Sequence, residues 1–205
     1  FTENAGQWYG NVRYIGETNF GDVGFFDDGI YMNMIMEHEV EEDTETSDGS
    51  TRTRGHVLKV TFPGSDMTSP IGIDQRSGVK NWMIGEEADW TTGVRSFNSL
   101  KYNSIYDGID LVYKFDENEG MKYDIIVDPY MDPSQVVVLY EGHRSMKVDG
   151  KNLMIDVDGE TDLVDSGLKV YYADDPTHEI EATYDLIDGS RYGFALGNYD
   201  DSRQI

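Results

Sequence analysis

Two neighbouring segments alternate apolar and polar residues with a period of two, and this pattern constrains the fold more than any other feature. Apolar side chains occupy the odd positions from 109 to 115 and again from 121 to 127. Between them lies "DENEG", which supplies a glycine for a connection. Because successive side chains of a strand point to opposite faces, each segment places an apolar stripe on one face. The sequence therefore predicts an antiparallel hairpin over residues 109–127 with its odd-numbered apolar residues buried.

A second pair of strands is predicted earlier in the chain. Residues 30–40 alternate apolar with polar and increasingly acidic side chains, which is typical of a strand with one buried face. Residues 56–62, "HVLKVTF", form a second strand of the same kind. The segment 37–54 between them is acidic and has no periodicity, so it is predicted to be an exposed loop of a long hairpin.

The remainder of the chain favours more short strands. After residue 133, apolar segments are separated by Asp-Gly pairs at positions 149–150, 158–159 and 188–189. The stretch "DPYMDP" at 128–133 interrupts the pattern, because proline cannot donate to a central ladder. Only "EEADWTTGV" could hold a short helical turn. We predict an all-β antiparallel sandwich of two packed subdomains, residues 1–130 with the acidic loop 37–54 and residues 131–205, with a boundary at 128–134.

Composition restricts the class of partner. The chain has 40 Asp and Glu against 16 Lys and Arg, a formal net charge of -24. Such a field repels phosphate backbones and anionic membranes, so nucleic acid is not expected as a partner. No apolar run approaches the roughly 20 residues that a membrane span requires, and the start at Phe1 without a methionine suggests a processed or trimmed end. The chain has no cysteine, which excludes disulfides and thiolate metal sites.

Clustered carboxylates make calcium the one cofactor that the sequence indicates. The segment "DVDGETD" resembles a shortened calcium loop, although it lacks the spacing and the final glutamate of an EF-hand. An alternative interpretation is a two-residue type I′ turn at positions 158–159. A second acidic group follows the first strand of the hairpin 109–127. The candidate ligands are Asp156, Asp158, Glu160 and Asp162 in the first group and Asp116, Glu117 and Glu119 in the second.

No catalytic constellation is identifiable, and the chain is not expected to be an enzyme. The four histidines lack the i, i+4 spacing of a zinc-binding helix. The glycines form no phosphate-binding loop. The carboxylates of "YDGID" could serve acid-base chemistry, but Asp-Gly before an alternating strand is also what a turn requires. With 40 carboxylates available, the sequence alone cannot select a catalytic pair.

Several blocks of sequence carry a resemblance to a known family. They are "FTENAGQW" at the start, "NWMIGEEADW" and "YDGIDLVY" followed by "YDIIVDPYMDP" in the middle, and "YGFALGNYD" near the end. Together they resemble the amino-terminal domain that precedes SBBP-type β-propeller repeats in bacterial and archaeal secreted or surface proteins. The family has no accepted catalytic residues, so the resemblance implies a location outside the cell rather than a chemistry.

Two functional hypotheses follow. In the first, the chain is an extracellular structural or adhesive module of a prokaryotic cell-surface protein, including the repeating subunit of a sheath, surface layer or filament, with other surface chains or domains, or copies of itself, as partners. Residues 1–7 or the last strand near 193–205 would then contribute to the contact with a neighbour. In the alternative, the chain binds or hydrolyses carbohydrate through exposed aromatic residues such as Trp8, Trp82 and Trp90 with nearby carboxylates.

Overall fold

The structure, a computed structural model, describes residues 1–35, 55–116 and 120–205. These residues form an all-β fold of antiparallel sheets, as the alternating pattern predicted. The described helical structure is two short 3₁₀ turns, Glu87–Asp89 and Pro133–Gln135. The first lies within "EEADWTTGV", where the sequence favoured a helical turn. In the described part of the chain, no helix has the length and apolar character needed to cross a bilayer.

The largest sheet has eight antiparallel strands and joins distant parts of the chain. Five of its strands come from the first 61 residues and three from the last 70 or so. In spatial order they are β1 (Thr2–Glu3), β2 (Tyr14–Thr18), β3 (Gly21–Phe25), β4 (Ile30–Ile35), β5 (Gly55–Thr61), β12 (Val138–Glu141), β19 (Arg191–Leu196) and β18 (Ala182–Leu186).

A four-stranded sheet packs against the first. Its spatial order is β11 (Gly120–Val127), β10 (Ile109–Asp116), β9 (Phe97–Tyr106) and β6 (Ile71–Gln75), so β11 and β6 are its edges. Three smaller sheets complete the described fold. They are β13 (Ser145–Asp149), β14 (Asn152–Asp156) and β15 (Asp162–Asp165); β16 (Val170–Tyr172) and β17 (Asp175–Ile180); and β7 (Lys80–Trp82) and β8 (Thr91–Val94).

The core forms where the two large sheets face each other. Phe25 of β3 is fully buried, and its ring lies 5.2 Å from that of Phe1 and 5.2 Å from that of Tyr113 on β10, measured between centroids. Leu153 and Ile155 of β14 belong to the same buried cluster. The small sheet β13–β15 therefore covers one part of a single continuous core rather than a core of its own.

The predicted hairpin over 109–127 is confirmed. β10 pairs with β11 in continuous antiparallel register from Ile109↔Val127 to Asp116↔Gly120. On β10 the odd residues from 109 to 113 are buried and Phe115 is half-buried, whereas on β11 only Val127 is buried and the other odd residues are half-buried. β11 is less covered because it is the edge strand of its sheet.

The other sequence predictions have mixed outcomes. β4 pairs with β5 as expected for the hairpin of residues 30–62, but the acidic loop 37–54 lies outside the described residues. Asp107 and Gly108 form the two-residue connection between β9 and β10, and Gly108 has the positive φ of 65° that favours glycine. The division into subdomains at 128–134 stays a prediction, although strands from both sides of it share the eight-stranded sheet.

The terminal residues are held within the fold of their own chain. Phe1 and Thr2 are buried, and the amino group of Phe1 donates to the carbonyl of Phe97 at 2.9 Å. Residues 2 and 3 form β1 and pair with β2 of the same chain. The contact of residues 1–7 or 193–205 with a neighbour stays a prediction. β19 lies between β12 and β18 and is paired on both sides. Gln204 and Ile205 lie outside these strands, and Ile205 lies at the edge of β11.

Candidate functional site

The predicted calcium loop connects β14 to β15. Asp156 and Asp162 stand opposite each other in the ladder, so the connection contains residues 157–161 rather than the two-residue turn expected at 158–159. Asp156 Oδ1 accepts a hydrogen bond from Gly159 N–H at 2.6 Å, and Asp158 Oδ1 accepts from Thr161 N–H at 2.9 Å. The carboxylates of Asp156 and Asp158 therefore hold the backbone of the loop.

Basic side chains lie beside the same loop. Arg144 Nη1 donates to the carbonyl of Asp158 at 2.7 Å. Lys147, Asp156 and Asp162 line a cavity of about 160 Å³. In the described ranges, no three His, Cys, Asp or Glu side chains are grouped so that they could hold a metal ion. Calcium binding by Asp156, Asp158, Glu160 and Asp162 stays a prediction.

The second acidic group is described only in part. Asp116 ends β10, is half-buried and pairs with Gly120 across the hairpin. Glu117 and Glu119 lie outside the described residues, as does the loop 37–54. The hairpin connection therefore stays a predicted calcium site.

Calcium is expected to raise the melting temperature more than sodium does at equal ionic strength. Sodium only screens the repulsion among a net charge of -24, whereas a bound ion also adds its binding free energy to the folded state. Differential scanning calorimetry in matched calcium and sodium chloride measures the difference. Identical shifts of the melting temperature in the two salts would mean that screening is the whole effect, and the prediction of a specific calcium site would be wrong.

A half-buried carboxylate that the sequence did not single out lies against tyrosines of the main core. Asp165, the last residue of β15, accepts a hydrogen bond from Tyr123 Oη at 2.6 Å. The hydroxyls of Tyr184 on β18 and Tyr192 on β19 lie close enough to influence the pKa of this carboxylate. Three strands from two sheets thus converge on one side chain. The arrangement ties β15 to β11 and to the end of the eight-stranded sheet.

Burial changes the acidity of this cluster. Desolvation raises the pKa of Asp165 above its ordinary range, while the three tyrosine hydroxyls partly oppose that rise by stabilising the anion. Desolvation also raises the pKa of Tyr123 and Tyr192 well above their usual range. Two further tyrosines face the carboxylate at longer range, Tyr113 of β10 and Tyr140 of β12, and no basic side chain is among the groups that shift its pKa.

The natural chain is expected to gain stability relative to the variant Asp165→Asn as the pH is lowered. In the unfolded chain the carboxyl titrates near 3.8, and in the folded chain its pKa is higher. Between those values the folded state binds more protons, so stability from this group is present below 3.8 and is lost as pH rises through the raised pKa. The difference in unfolding free energy between the natural chain and Asp165→Asn should therefore fall with rising pH.

An exposed aspartate provides the control for that measurement. The pKa of Asp188 is lowered, first by its hydrogen bond to Arg191. Its stabilisation is therefore present above the ordinary pKa and is lost as pH falls, so the difference between the natural chain and Asp188→Asn should rise with pH. Urea denaturation at a series of pH values from acid to neutral measures both differences. If the two differences changed with pH in the same direction, the raised pKa of Asp165 and the lowered pKa of Asp188 could not both be correct.

The open edge of β11 forms one wall of the candidate site. At one end, Val127 N–H donates to the carbonyl of Ile205 at 2.7 Å, and Ile205 N–H donates to the carbonyl of Val127 at 3.1 Å. Backbone groups alternate in direction along a strand, so the N–H and C=O of Tyr123 and Ile125 face the same side as those of Val127. Among the described residues, no partner for the N–H of Tyr123 or of Ile125 is present.

The edge of β16 and the residues around it form the opposite wall. β16 pairs with β17 on one side only. Just beyond it, Ala173 N–H donates to the carbonyl of Gln204 at 2.9 Å. Gln204 and Ile205 are therefore hydrogen-bonded on both sides, to Ala173 and to Val127, as residues of a strand between β11 and β16 would be.

Beyond Ile205 the gap between the two walls continues as a cleft of about 370 Å³. We call it the strand slot, bounded by residues 123–127 of β11 and by residues 168–173. Its lining is mainly apolar and includes Val136, Leu168, Phe194 and Leu196. At about 3.4 Å per residue, the five residues of the β11 wall extend for roughly 14 Å from the first Cα to the last. The slot therefore has the dimensions of one short extended segment.

The strand slot and the cluster around Asp165 share one residue. The backbone N–H of Tyr123 faces the slot, while its side-chain hydroxyl donates to Asp165. The residues that follow Asp165 lead directly to the second wall at Leu168. The Asp165 cluster thus holds the side chain of Tyr123 in the first wall and lies just before Leu168, where the second wall begins. It therefore supports the shape of the slot.

Comparison with known families identifies the chain. Residues 1–205 match the family described as Domain of unknown function (DUF7948). The chain belongs to the DUF7948 family. No curated protein and no solved structure matches this chain. Since the family description assigns no function, the function has to be inferred from the geometry of this chain.

Proposed function

We propose that this DUF7948 domain is an extracellular structural or adhesive module that holds an extended polypeptide segment in the strand slot. The observation that supports it most strongly is the placement of Gln204 and Ile205, which are hydrogen-bonded to both walls at one end of the slot. The rest of the slot presents the same unpaired β11 edge and the same apolar lining. A segment that continued this strand would satisfy backbone groups that are otherwise left to water.

The slot suits β-strand addition better than it suits a small ligand or catalysis. In this mode of recognition, main-chain hydrogen bonds to an exposed edge supply affinity, and pockets for alternate side chains supply specificity. Tyr123 and Ile125 offer the main-chain groups, while Phe194 and Leu196 offer apolar surface. Tyr123 and Asp165 are already bonded to each other, and neither the tyrosine nor the carboxylate has a lowered pKa that would suit a nucleophile.

A location on the prokaryotic cell surface is part of the same proposal. It rests on the resemblance to domains that precede SBBP-type repeats, and a net charge of -24 suits a protein in salty surroundings. A surface protein built of several modules needs contacts that join one chain to another. Strand addition supplies such a contact without disulfides, which this chain has no cysteines to form.

Binding of short synthetic peptides tests the proposal. Ile125→Pro is the informative variant, because the Ile125 N–H faces the slot and makes no bond to β10. The variant is expected to fold while it loses the hydrogen bond and the straight edge that an added strand requires. An array of extended peptides read by fluorescence polarisation should contain peptides that bind the natural domain and not Ile125→Pro. Equal binding by the two proteins, or no binding to either, would contradict the proposal.

Carbohydrate binding is a second candidate, favoured by a group of tryptophans outside the core. The rings of Trp8 and Trp82 lie 5.5 Å apart between centroids, and Trp90 is 40% exposed. Exposed rings of this kind can stack on the apolar faces of sugars, with nearby polar groups bonding the hydroxyls. A titration with soluble polysaccharides should quench tryptophan fluorescence in the natural domain and not in Trp90→Ala. An unchanged spectrum throughout would remove this candidate.

A further inference from the structure

The eight-stranded sheet ends at β18, and the outer edge of this strand is open. Gly197 N–H donates to the carbonyl of Glu181, the residue before β18, at 2.8 Å, so the backbone of Glu181 faces β19. Backbone groups alternate in direction along a strand, so those of Ala182, Tyr184 and Leu186 face away from β19. Within residues 1–35, 55–116 and 120–205, these outward N–H and C=O groups have no hydrogen-bond partner.

The edges of β1 and β6 differ from that of β18, because the chain covers them itself. Glu3 N–H of β1 donates to the carbonyl of Arg95 at 3.1 Å. Gly72 N–H of β6 donates to the hydroxyl of Tyr14 at 3.2 Å, and Asp74 in the same strand has a left-handed φ of 55°. β18 has a continuous register with β19 and contains no proline or lysine. Because such features usually protect an edge, their absence favours pairing with another strand.

Charge selects the register in which two copies of β18 can pair. To continue the antiparallel sheet, the outward-facing residues of one copy must stand opposite those of the other. In the register centred on Tyr184, Thr183 of each copy stands opposite Asp185 of the other. A shift of two residues in one direction places Asp185 opposite Asp185, and a shift in the other direction places it opposite Glu181. Like charges directly opposite each other destabilise a ladder, so the register centred on Tyr184 is favoured.

The side chains of β18 are complementary in this register on both faces. Thr183 and Asp185 are exposed on the outer face, and their pair is of the non-hydrogen-bonded type, in which side chains approach most closely. The threonine hydroxyl can therefore donate to the carboxylate of the other copy. On the opposite face, Leu186, which is 36% exposed, stands opposite Ala182 and would bury apolar surface.

Net charge and size limit the strength of this contact. A formal net charge of -24 on each copy produces long-range repulsion, which dissolved salt screens. A pair of short strands buries less than the roughly 1,200 Å² of a stable interface. We therefore expect a dissociation constant on the order of 0.1–1 mM, a concentration that is reached where many copies are held close together.

We propose that two copies of this domain pair through the open edge of β18, antiparallel about a two-fold axis at Tyr184. The two eight-stranded sheets then form one continuous sheet, and the partner in the contact is a second copy of the same chain. The inference goes beyond the proposed function and does not rest on it, since the backbone groups of β18 are separate from those of β11 that face the strand slot. Either contact can fail while the other stands.

Disulfide formation between introduced cysteines tests the register, because the natural chain has no cysteine. Thr183→Cys and Asp185→Cys are prepared separately, mixed in equal amounts and oxidised. Opposite positions of a non-hydrogen-bonded pair have Cα atoms about 4.5 Å apart, which suits a disulfide. We expect the mixed dimer to form at least about tenfold faster than either dimer of identical variants. Faster formation of either identical dimer would overturn the register, and equally slow formation of all of them would overturn the contact.

Two substitutions at Thr183 test the same contact without cysteine. Thr183→Lys places a cation opposite Asp185 on both sides of the axis, whereas Thr183→Glu places a second carboxylate there. Sedimentation equilibrium is expected to give a dissociation constant at least about tenfold lower for Thr183→Lys than for Thr183→Glu. Thr92, an exposed residue of β8, supplies the control for net charge. Thr92→Lys and Thr92→Glu should differ by less than about threefold, and an equal effect at both positions would overturn the contact at β18.

Proline substitutions distinguish this edge from the strand slot. Leu186→Pro removes an outward N–H and keeps the bonds to β19, so the variant is expected to fold and to sediment as a monomer. Ile125→Pro changes the edge of β11 and should dimerise as the natural domain does. The reverse result would show that a second copy occupies the strand slot, and the assignment to β18 would be wrong.

Salt dependence completes the test. The natural domain is expected to dimerise at about 1 mM protein, and raising sodium chloride from about 0.05 M to about 0.5 M should lower the dissociation constant at least about threefold. A monomer throughout this range would overturn the inference. If Leu186→Pro fails to fold, the variants at Thr183 still decide the question, because that side chain lies on the exposed face.

Discussion

Phe25→Ala is expected to lower the free energy of unfolding by about 3–5 kcal/mol. Phe25 is fully buried. Its ring contacts the ring of Phe1, which directly precedes β1, and the ring of Tyr113 on β10. Removing it leaves a cavity between the two large sheets that neither neighbour can fill without leaving its own site. The loss would appear as a lower midpoint in urea denaturation with little change in slope.

Tyr9→Ala is the matched control for that variant. Tyr9 is also aromatic and lies close in sequence, but it is fully exposed. Its replacement should change the free energy of unfolding by less than about 0.5 kcal/mol. Comparable losses for the two variants would mean that Phe25 is not at the centre of the core. The packing of the two large sheets against each other would then be wrong.

Asp165→Leu is expected to cost about 2–3 kcal/mol. Leucine has the same branched arrangement of heavy atoms but is larger and accepts no hydrogen bond, so the hydroxyl of Tyr123 would lose its acceptor and those of Tyr184 and Tyr192 would lose a neighbouring carboxylate. Tyr123 and Tyr192 are 3.4 Å apart between hydroxyl oxygens, so they can bond to each other and recover part of the loss. Equilibrium denaturation at neutral pH measures the cost.

Asp165→Asn separates the loss of the acceptor from the loss of the charge. Asparagine keeps a carbonyl oxygen for the tyrosines and removes the need to bury an ionisable group, so its cost should be below about 1 kcal/mol. If asparagine and leucine cost the same, the stabilisation comes from the charge and not from the shared hydrogen bonds. If leucine costs nothing, the tyrosines are satisfied elsewhere and the cluster does not hold β15 to β11.

The hairpin of β10 and β11 was predictable from the sequence because each strand has one buried face. Alternation over 109–127 then determines both the pairing and the side chains that enter the core. β15 was not predictable in the same way. Its four residues, Asp162–Asp165, begin and end with a carboxylate, and the first of them also belongs to the predicted calcium loop. Pairing with β14 overrides that local preference, which is why Asp162 begins a strand.

The strand slot could not be predicted from local patterns. It depends on Ile205 lying against Val127 and Gln204 against Ala173, contacts that join segments far apart in the sequence. The sequence did indicate that β11 would be half apolar, but not that it would be an edge. Asp165 was one of 40 acidic residues, and its inward direction follows only from the register of β14 with β15.

Hydrogen exchange of the individual β11 amides, followed by NMR, tests the strand slot most directly. Asp124 and Ile126 direct their N–H groups to β10, whereas Tyr123 and Ile125 direct theirs into the slot. In the free domain we expect slow exchange at 124 and 126 and fast exchange at 123 and 125. A bound peptide should slow the amides of Tyr123 and Ile125 at least about tenfold and leave the other two unchanged. Slow exchange at all four positions in the free domain, or no change at 123 and 125 when the peptide binds, would contradict the slot as a site of strand addition.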